Sequence, residues 1–498
     1  MSRAQKTVHG IAWSIVANLG ARAVGLLGTL LLARYLDPAD YGEVMAASVV
    51  ASTAQSFSNL GLGQYLLVRP DADKRVLFHV TFYSAVLCAV ALVIGLALGP
   101  AIGPFFRVRQ IMRYLPLLSA TALLDRIVDV PERILQRELR FKLLSLNNAF
   151  GDFAYTAVSL ALVTHTGGMS IVWGNVARST LRAAVIFKVN GRTGWLEPVP
   201  LRRDVTRQIF GFGLRLTLGN WASFLARRWD NMLTSRYFGP AVMGAYNYAY
   251  NLANVPALQV GEQIGDVLFP SFGHLTGQKR RDAFLRSTRL LALLDFPLAV
   301  GLGAITPTLV LVVFNAEWHS VGPMLVILSS LSLAYPLGYT AGCYLQAAGR
   351  PMLLSYLEIG KALWLFGGIV LLAPMGPLWV CVAVATAYAA HALASLWLVQ
   401  VADQVPLAAS LGGLLPPLAA CLPLLAGVLA VRWALHRNDL LGLVLEVLAG
   451  IVGYVAGAFW FARRPTRDFL GLARRFMRRN PEDDDVDDAP AAKKEPGA

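Results

Sequence analysis

Long apolar runs recur along this chain, and they constrain its fold more than any other feature. Between Ile11 and Phe461 the sequence returns repeatedly to stretches of about 20 residues with few charged side chains, each long enough to cross a bilayer as an α-helix. Because 56% of the residues are hydrophobic and only 15% are charged, and the connecting segments are short, we expect no soluble domain of ordinary size. The sequence predicts an all-α, polytopic membrane protein.

About fourteen such spans fit the sequence. We expect two six-helix bundles, related by a pseudo-two-fold axis along the membrane normal, followed by two further helices. The predicted spans cover residues 10–33, 42–67, 76–99, 111–131, 143–164 and 168–188, then 208–235, 241–269, 286–314, 320–348, 351–373 and 377–401, and finally 408–431 and 440–462.

These spans define the expected domains. The tail that follows them is first basic and then acidic, and its last part, PEDDDVDDAPAAKKEPGA, cannot bury apolar surface, so we expect it to be disordered. The domains are an N-terminal lobe (1–190), a cytoplasmic linker (191–207), a C-terminal lobe (208–402), two extra transmembrane helices (403–462) and the cytoplasmic tail (463–498).

A repeated motif supports a duplication. The stretch ARYLDPADYGEV, which begins at Ala33, follows the first span, and SRYFGPAVMGAY, which begins at Ser235, follows the seventh. Six spans separate the copies, and an even number preserves their orientation, so the two halves are predicted to be parallel repeats. Proline suits the first turn of a helix, and glycine allows close helix contact. The shared residues are Arg34, Tyr35, Pro38 and Gly42 in the first copy and Arg236, Tyr237, Pro240 and Gly244 in the second.

The distribution of positive charge predicts the orientation in the membrane. The formal net charge of +14 could indicate a nucleic-acid partner, but most Lys and Arg residues fall in connections on the side of the N-terminus. The positive-inside rule assigns that side to the cytoplasm, so we expect both termini there and no nucleic-acid partner. Arg107, Arg109 and Arg113 do not fit this orientation, because they fall on the outer side.

Three predicted spans carry sets of residues, polar apart from one glycine, at spacings of three, four or, once, eight, so each set shares one helix face. Such groups are costly in a membrane unless they face a cavity or a partner, and we interpret them as the lining of a water-filled central cavity. They are Ser14, Asn18, Arg22, Gly25 and Thr29 in the first span, Asn220, Ser223, Arg227, Asp230 and Thr234 in the seventh, and Asn247, Asn251, Asn254, Glu262 and Asp266 in the eighth.

The charged residues of the seventh span have two interpretations. Arg227 and Asp230 lie three residues apart and could form a structural ion pair on the helix surface. Alternatively, Arg227 binds an anion, and the negative charge of Asp230 partly offsets the positive charge of Arg227. We expect Arg228 to point to another face, toward a neighbouring helix or the interface.

The fourth and sixth spans hold similar candidates. Asp125 and Asp129 lie one turn apart and could share a proton, although an ion pair with Arg126 is the simpler expectation. Arg178 and Arg182 form a candidate anion site, unless Arg182 extends to the cytoplasmic interface. Weaker candidates are Asp152, Arg215, Asp295, Glu358 and Lys361, and His391 is expected to be an isolated structural residue.

The chemistry of these stripes favours an anionic ligand. Arginine binds phosphate through its bidentate fork, whereas a pump for cationic drugs would need carboxylates and aromatic rings. Signatures of soluble enzymes are absent, and the four cysteines lie in apolar runs at irregular spacings. We therefore expect a transporter with no catalytic residues, no metal site and no cofactor. The candidate anion ligands are Arg22, Arg178, Arg182, Arg215 and Arg227.

Several segments resemble a known family. FLARRWDNMLTSRYFGPAVMGAYNYAYNLANVP resembles the central signature of bacterial polysaccharide flippases of the multidrug/oligosaccharidyl-lipid/polysaccharide exporter superfamily, and ERILQRELRFKLLS resembles a cytoplasmic segment of its exopolysaccharide (colanic-acid-exporter-like) branch. Further segments of that branch are similar to FNAEWHSVGPMLVILSSLSLAYP, AAGRP and LLARYLDPADYGEV. A Gly-Pro would be more usual before Glu317. The positions that match the central signature are Arg227, Asp230, Arg236, Gly239, Gly244, Tyr246, Ala249, Tyr250 and Pro256.

The resemblance implies a flippase of the bacterial inner membrane. Its cargo would be an undecaprenyl-pyrophosphate-linked oligosaccharide repeat unit for exopolysaccharide, O-antigen or capsule assembly, moved by alternating access coupled to an H⁺ or Na⁺ gradient. A polysaccharide polymerase and co-polymerase are candidate partners, and we expect a monomer. The pyrophosphate would be held by Arg22 and Arg227, and next by Arg178. The sugar hydroxyl groups would bond to Asn18, Asn220, Asn247 and Asn251. The coupling ion would bind at Asp230, Asp129 or Glu262.

Other classes of protein remain open. A cation-coupled multidrug or lipid antiporter of the same superfamily would share the two-bundle plan, but we would expect carboxylates to dominate its cavity. A lipid II flippase has a similar substrate, although its signatures are not those matched above. A membrane polymerase or glycosyltransferase would need a large outer loop with catalytic residues, and the outer loops here are too short. A scaffold would leave the polar stripes unexplained.

Overall fold

The computed structural model describes residues 25, 28–68, 73–138, 140–191, 195–254, 272–273 and 275–478. Every regular element within these residues is a helix, as the sequence predicts. Helices suit a chain of this composition because each one satisfies its own backbone N–H and C=O groups, which lipid cannot do.

The first lobe is built around α5, which packs against α2, α4 and α7. The predicted second span is interrupted, because the helix ends at Ser58 and restarts after Gly61, whose φ of 68° favours glycine. The described helices are α1 (28–33), α2 (Pro38–Ser58), α3 (Leu62–Val68), α4 (Lys74–Phe105), α5 (Ile111–Arg137), α6 (Phe141–Thr166) and α7 (Met169–Asn190).

The second lobe repeats this plan, and further helices follow it. The helices of the second lobe are α8 (Arg203–Phe238), α9 (240–254), α10 (Gly277–Val313), α11 (Val321–Leu328), α12 (Leu331–Ala347), α13 (Pro351–Leu372) and α14 (Pro377–Asp403). They are followed by α15 (Leu407–Gly412), α16 (Leu415–Leu435), α17 (Leu440–Phe461) and α18 (Arg463–Arg478).

Six of the described helices are long and apolar enough to cross a membrane, and α11 with α12, bent by 45°, adds a seventh if the pair forms one span. The protein is therefore a multi-pass membrane protein. The helices α5 and α8 do not meet this criterion, because they carry many of the charged residues of the polar stripes. The count of about fourteen spans stays a prediction.

The segment that joins the lobes is held against the first lobe. Trp195 is 1% exposed, stacks on Phe187 at a centroid distance of 5.6 Å, and donates its indole N–H to the carbonyl oxygen of Gly191 at 3.0 Å. The backbone N–H of Arg202 donates to Nε2 of His79 at 2.8 Å. Both contacts fix where α8 begins, and hence the position of its polar stripe.

The last two spans, α16 and α17, are attached to α10 by a buried charged cluster. Glu446 of α17 is 1% exposed and accepts two hydrogen bonds of 2.9 Å from Arg432 of α16. Thr308 of α10 donates to the same carboxylate at 2.7 Å, and Arg432 also donates to the carbonyl oxygen of Ala304. Since a carboxylate inside a membrane protein must be paired, these bonds define how the three helices dock.

The basic segment after Phe461, which the sequence analysis placed in the tail, is helical. Its charged residues alternate with apolar ones at helical spacing, which favours an amphipathic helix at a membrane surface. Asp468 forms a 3.2 Å salt bridge with Arg286 of α10, and Thr466 donates to the carbonyl oxygen of Ala462 at 2.8 Å. The rest of the tail, 479–498, which includes the acidic part, lies outside the described residues.

Candidate functional site

The two copies of the repeated motif meet across the interface between the lobes. Gly42 of α2 faces the carbonyl oxygen of Pro240, and Gly244 of α9 faces the carbonyl oxygen of Pro38, so the contact is reciprocal. A β-carbon at either glycine would overlap the opposing oxygen. Only glycine therefore allows α2 and α9 to cross this closely. We call this end of the bundle the closed end.

Hydrogen bonds from two connecting segments repeat the same symmetry at the closed end. The segment after α10 bonds to the first motif copy, and the segment after α4 bonds to the second. Arg107, which did not fit the predicted charge distribution, takes part in this contact. The bonds are Asn315 Nδ2 to Arg34 O (2.7 Å), Trp318 Nε1 to Leu36 O (2.8 Å), Ser235 Oγ to Phe106 O (2.8 Å) and Arg107 Nη1 to Tyr237 O (3.1 Å).

Buried aromatic rings fill the space behind the glycine contact. Tyr248 of α9 lies 4.8 Å from Tyr41 of α2 and 4.7 Å from Trp318, measured between ring centroids. All three side chains are at most 5% exposed. The hydroxyl group of Tyr41 donates to Oδ1 of Asn247 at 3.1 Å, so the aromatic cluster ends at an amide that faces a cavity.

An acidic pair also spans the lobes at the closed end. Asp37 of the first motif copy lies beside Glu317, and hydrogen bonding between the two carboxyl groups raises the pKa of Glu317 above its ordinary value. Because the shift is upward, this bond is present at acidic pH and is lost as the pH rises through the pKa of Glu317.

A polar cavity of about 690 Å³ lies between the lobes on the other side of the aromatic cluster. It extends from Asn231 and Asn247, in the middle of the bundle, to Asn59, beyond the last residue of α2. The predicted central cavity is thus present, and the closed end seals one of its sides. Its lining comprises Ser52, Gln55, Ser56, Asn59, Asp125, Arg126, Asp129, Glu132 and Arg182 from the first lobe, and Phe224, Arg227, Arg228, Asn231, Asn247, Tyr250, Asn251 and Asn254 from the second.

Most of the charged groups on the first-lobe wall are held in ion pairs. Asp129 lies 3.7 Å from Arg126 and 3.3 Å from Arg133. The ion pair with Arg126 is the one that the sequence predicted as the simpler arrangement. Arg182 is paired with Glu132 at 2.7 Å. Asp129 and Arg182, which the sequence analysis assigned to ion coupling and anion binding, therefore lie in the cavity wall but already have charged partners.

The second-lobe wall is different. Arg227 and Arg228 are both exposed in the cavity, and neither forms a salt bridge with another described residue. The expectation that Arg228 would point elsewhere is wrong, because the wall is broad enough to include both neighbours. Asn247 accepts from Nδ2 of Asn251 and donates to Oδ1 of Asn231, both at 2.8 Å. Two cations and a chain of amides therefore face a wall whose charges are mostly paired.

Asp230 lies behind this wall and not beside Arg227. It is fully buried and accepts hydrogen bonds from the hydroxyl group of Tyr246 at 2.6 Å and from the backbone and side-chain N–H groups of Asn231 at 2.8 and 2.9 Å. The structural Arg227–Asp230 ion pair, one of the two interpretations of these residues, is therefore not formed, because the carboxylate turns into the helix packing, where three donors satisfy it.

The remaining predicted residues lie elsewhere. Arg178 is paired with Asp152 at 3.2 Å and lies over the ring of Tyr155 at 4.3 Å, outside the cavity lining. Asn220 is exposed but is not part of the described lining. Asn18, Arg22 and Glu262 lie outside the described residues, as does the side chain of Arg215.

A further charged cluster lies in the second lobe and could not be assembled from the sequence. Glu358 of α13 is 2.7 Å from Lys361 and 3.4 Å from Nε2 of His391, which is on α14, so His391 is not isolated. Lys361 lies over the ring of Tyr388, whose hydroxyl group is 2.8 Å from that of Tyr250. Tyr250 lines the cavity, so a polar path connects it to this cluster.

A multi-pass membrane protein with two helical lobes around a polar cavity has the architecture of a transporter. Comparison with known sequences agrees: residues 31–323 match the model of a family described as polysaccharide biosynthesis protein. The chain belongs to this family.

Relatives and a solved structure extend the comparison. Succinoglycan biosynthesis transport protein ExoT of Rhizobium meliloti (strain 1021) is 25% identical over 497 residues, which cover 95% of this chain and 96% of that protein. Lipopolysaccharide biosynthesis protein WzxC of Escherichia coli (strain K12) is 24% identical over 358 residues, or 70% and 72% of the two chains. The fold resembles that of lipid II flippase MurJ in an inward closed conformation, with a TM-score of 0.73 at 14% identity over 91% of this chain and 99% of that one.

The glycine contact predicts the effect of a single methyl group. Gly42→Ala overpacks the closed end, and a cost of about 1–3 kcal/mol raises the open population by at least about fivefold. A cysteine at Asn251, in a variant without the native cysteines, then reacts at least about fivefold faster with a membrane-impermeant maleimide added on the side of the closed end.

Gly367→Ala is the matched control, because a β-carbon at this glycine in α13 meets no atom within 4 Å. It should leave the labelling rate unchanged. Equal labelling rates in both glycine variants and the parent would show that this contact does not seal the cavity.

Proposed function

We propose that this protein is a flippase that moves an undecaprenyl-pyrophosphate-linked oligosaccharide repeat unit across the bacterial inner membrane. The observation that carries the proposal is the second-lobe wall, where Arg227 and Arg228 lie without ionic partners among the described residues beside linked asparagine amides. Membership of the polysaccharide biosynthesis family and the names of the relatives support this substrate class.

The second-lobe wall has the groups that are needed to carry a charged, sugar-bearing head group through a membrane. A pyrophosphate with several sugars cannot enter hydrocarbon, because each unsatisfied polar group costs several kcal/mol there. Arginine replaces the lost hydration of phosphate with charge-assisted, bidentate hydrogen bonds. Asn231, Asn247 and Asn251 offer donors and acceptors that match sugar hydroxyl groups. The lipid tail would stay in the bilayer between the lobes.

The proposed orientation places the closed end on the outer side of the membrane. With both termini in the cytoplasm, as positive charge indicates, each motif copy follows a span that runs outward. The cavity then opens toward the cytoplasm, from where the lipid-linked unit would be loaded. Release to the outer leaflet would require the glycine contact and the hydrogen bonds at the closed end to separate, which is alternating access.

We further propose that an H⁺ or Na⁺ gradient drives this cycle and that Asp230 couples to it. Asp230 is joined to the cavity wall through Asn231, which bonds to Asn247, so a change in its charge would alter the amides that face the cargo. Glu262 and Asp129 remain the other candidates. The protein would act as a monomer, with a polymerase and co-polymerase as partners that use its product.

The anion site predicts a clear phenotype. Deleting the gene should make single lipid-linked repeat units accumulate while surface polysaccharide disappears, as measured by mass spectrometry of both fractions. Wild-type protein should restore the polymer, whereas the double variant Arg227→Gln, Arg228→Gln should lower transport at least about tenfold, because each lost charge-assisted bond costs about 1.5–3 kcal/mol.

Arg207→Gln is the matched control, since Arg207 is exposed at the start of the same helix and does not line the cavity. It should transport as the wild type does. An unchanged glycan profile after deletion would contradict the flippase, and normal transport by the double variant would contradict only the anion site.

Asp230→Asn tests the coupling. Purified protein in liposomes should flip lipid-linked oligosaccharide faster when a proton or sodium gradient is imposed, and the variant should lose this stimulation while keeping slow exchange. Asp204→Asn, at an exposed acid in the first turn of the same helix, should keep it. If Asp230→Asn responds to the gradient like the wild type, another group couples the ion.

A further inference from the structure

A second cavity lies away from the central one, where α10, α16, α17 and α18 meet. Its volume is about 340 Å³. None of its lining residues belongs to the central cavity, so it takes no direct part in the proposed cargo site. It is formed where α17 ends at Phe461 and α18 begins at Arg463.

The described lining of this cavity is cationic. It contains Arg289, Arg463 and Arg464 but no acidic residue, and none of the three forms a salt bridge with another described residue. The nearby Asp468 is paired with Arg286 instead. The cavity therefore gathers three guanidinium groups whose charge the described residues around it do not neutralise.

The position of Arg289 is fixed. Its Nε atom donates to the carbonyl oxygen of Leu285 at 3.1 Å, and its terminal nitrogen atoms form no hydrogen bond with another residue that the structure describes. Gly413 packs against its stem, since a β-carbon at this glycine would lie 3.1 Å from both Cγ and Cδ. A larger residue at this position would fill the space beside the guanidinium group. The site is thus shaped as well as charged.

The cavity lies at a membrane boundary. Trp460 is 73% exposed and Phe461 46% exposed at the end of a membrane-spanning helix, and aromatic rings at such an end mark the level of lipid head groups. Leu415, at the start of α16, is 65% exposed, as a lipid-facing residue would be. The arginines are therefore placed at the depth of lipid phosphates and beside acyl chains.

We propose that this cavity binds the phosphate head group of an anionic membrane phospholipid, with Arg289, Arg463 and Arg464 as its ligands. The first backbone N–H groups of α18 add a favourable field, because a helix N-terminus attracts anions. A zwitterionic lipid binds more weakly, since the described lining has no carboxylate for its ammonium group. The apolar rim at Trp460 and Phe461, with Leu415 next to the lining residue Pro416, holds the acyl chains and distinguishes a lipid from soluble phosphate.

The experiment is native mass spectrometry of the full-length protein in detergent, titrated with phosphatidylglycerol or phosphatidylethanolamine. The triple variant Arg289→Gln, Arg463→Gln, Arg464→Gln should bind phosphatidylglycerol at least about tenfold more weakly than the wild type, through loss of charge-assisted bonds. Thermal unfolding in detergent verifies that the variant is folded.

A second triple variant controls for general charge. Arg203→Gln, Arg207→Gln, Lys279→Gln removes the same number of exposed cations outside the cavity and should bind within about twofold of the wild type. Equal phosphatidylglycerol binding by the cavity variant and the wild type would overturn the proposal. Equal affinity for phosphatidylethanolamine would also overturn it, and so would displacement of the lipid by an equal concentration of inorganic phosphate, which would indicate a soluble-anion site.

Discussion

The crossing of α2 and α9 at Gly42 and Gly244 is the contact on which the shape of this protein depends. Two helix backbones that touch leave no passage for water, so the interface between the lobes is sealed at one end and widens into a cavity at the other. The hydrogen bonds around the crossing come from equivalent segments of the two lobes. The repeated motif is therefore a contact surface between the two lobes.

Electrostatics gives the two walls of the cavity different roles. Most charges of the first-lobe wall are in ion pairs, which make them tolerable inside a membrane protein. The second-lobe wall exposes two arginines and linked amides, while the acid on the same helix is turned away and satisfied by tyrosine and asparagine. This arrangement leaves net positive charge on one wall, which suits a cargo with a phosphorylated head group.

The sequence predicted the helical class and the polar cavity, because apolar length and helical periodicity are local properties of the chain. It also showed the repeated motif, whose two copies meet between the lobes. It also predicted that Arg227, Asn247 and Asn251 line the cavity. It did not predict that Asp230 lies behind the wall or that Arg228 lies in it. A rotation of α8 by one residue about its axis decides which of these side chains face the cavity, and the sequence does not fix this rotation. The Glu358–Lys361–His391 cluster was missed because its members come from two helices. The position of Arg107 on the outer side could likewise not be explained from the sequence, because its partner, the carbonyl oxygen of Tyr237, is known only from the structure.

The central claim is that the closed end must open in every transport cycle. Asp37 and Glu317 face each other across it, outside the spans, so a variant with Asp37→Cys and Glu317→Cys and no native cysteines can be cross-linked there. In liposomes with lipid-linked oligosaccharide, oxidation should stop transport and a reductant should restore it, with each single-cysteine variant unaffected. Transport at an unchanged rate by the fully cross-linked protein would contradict the account.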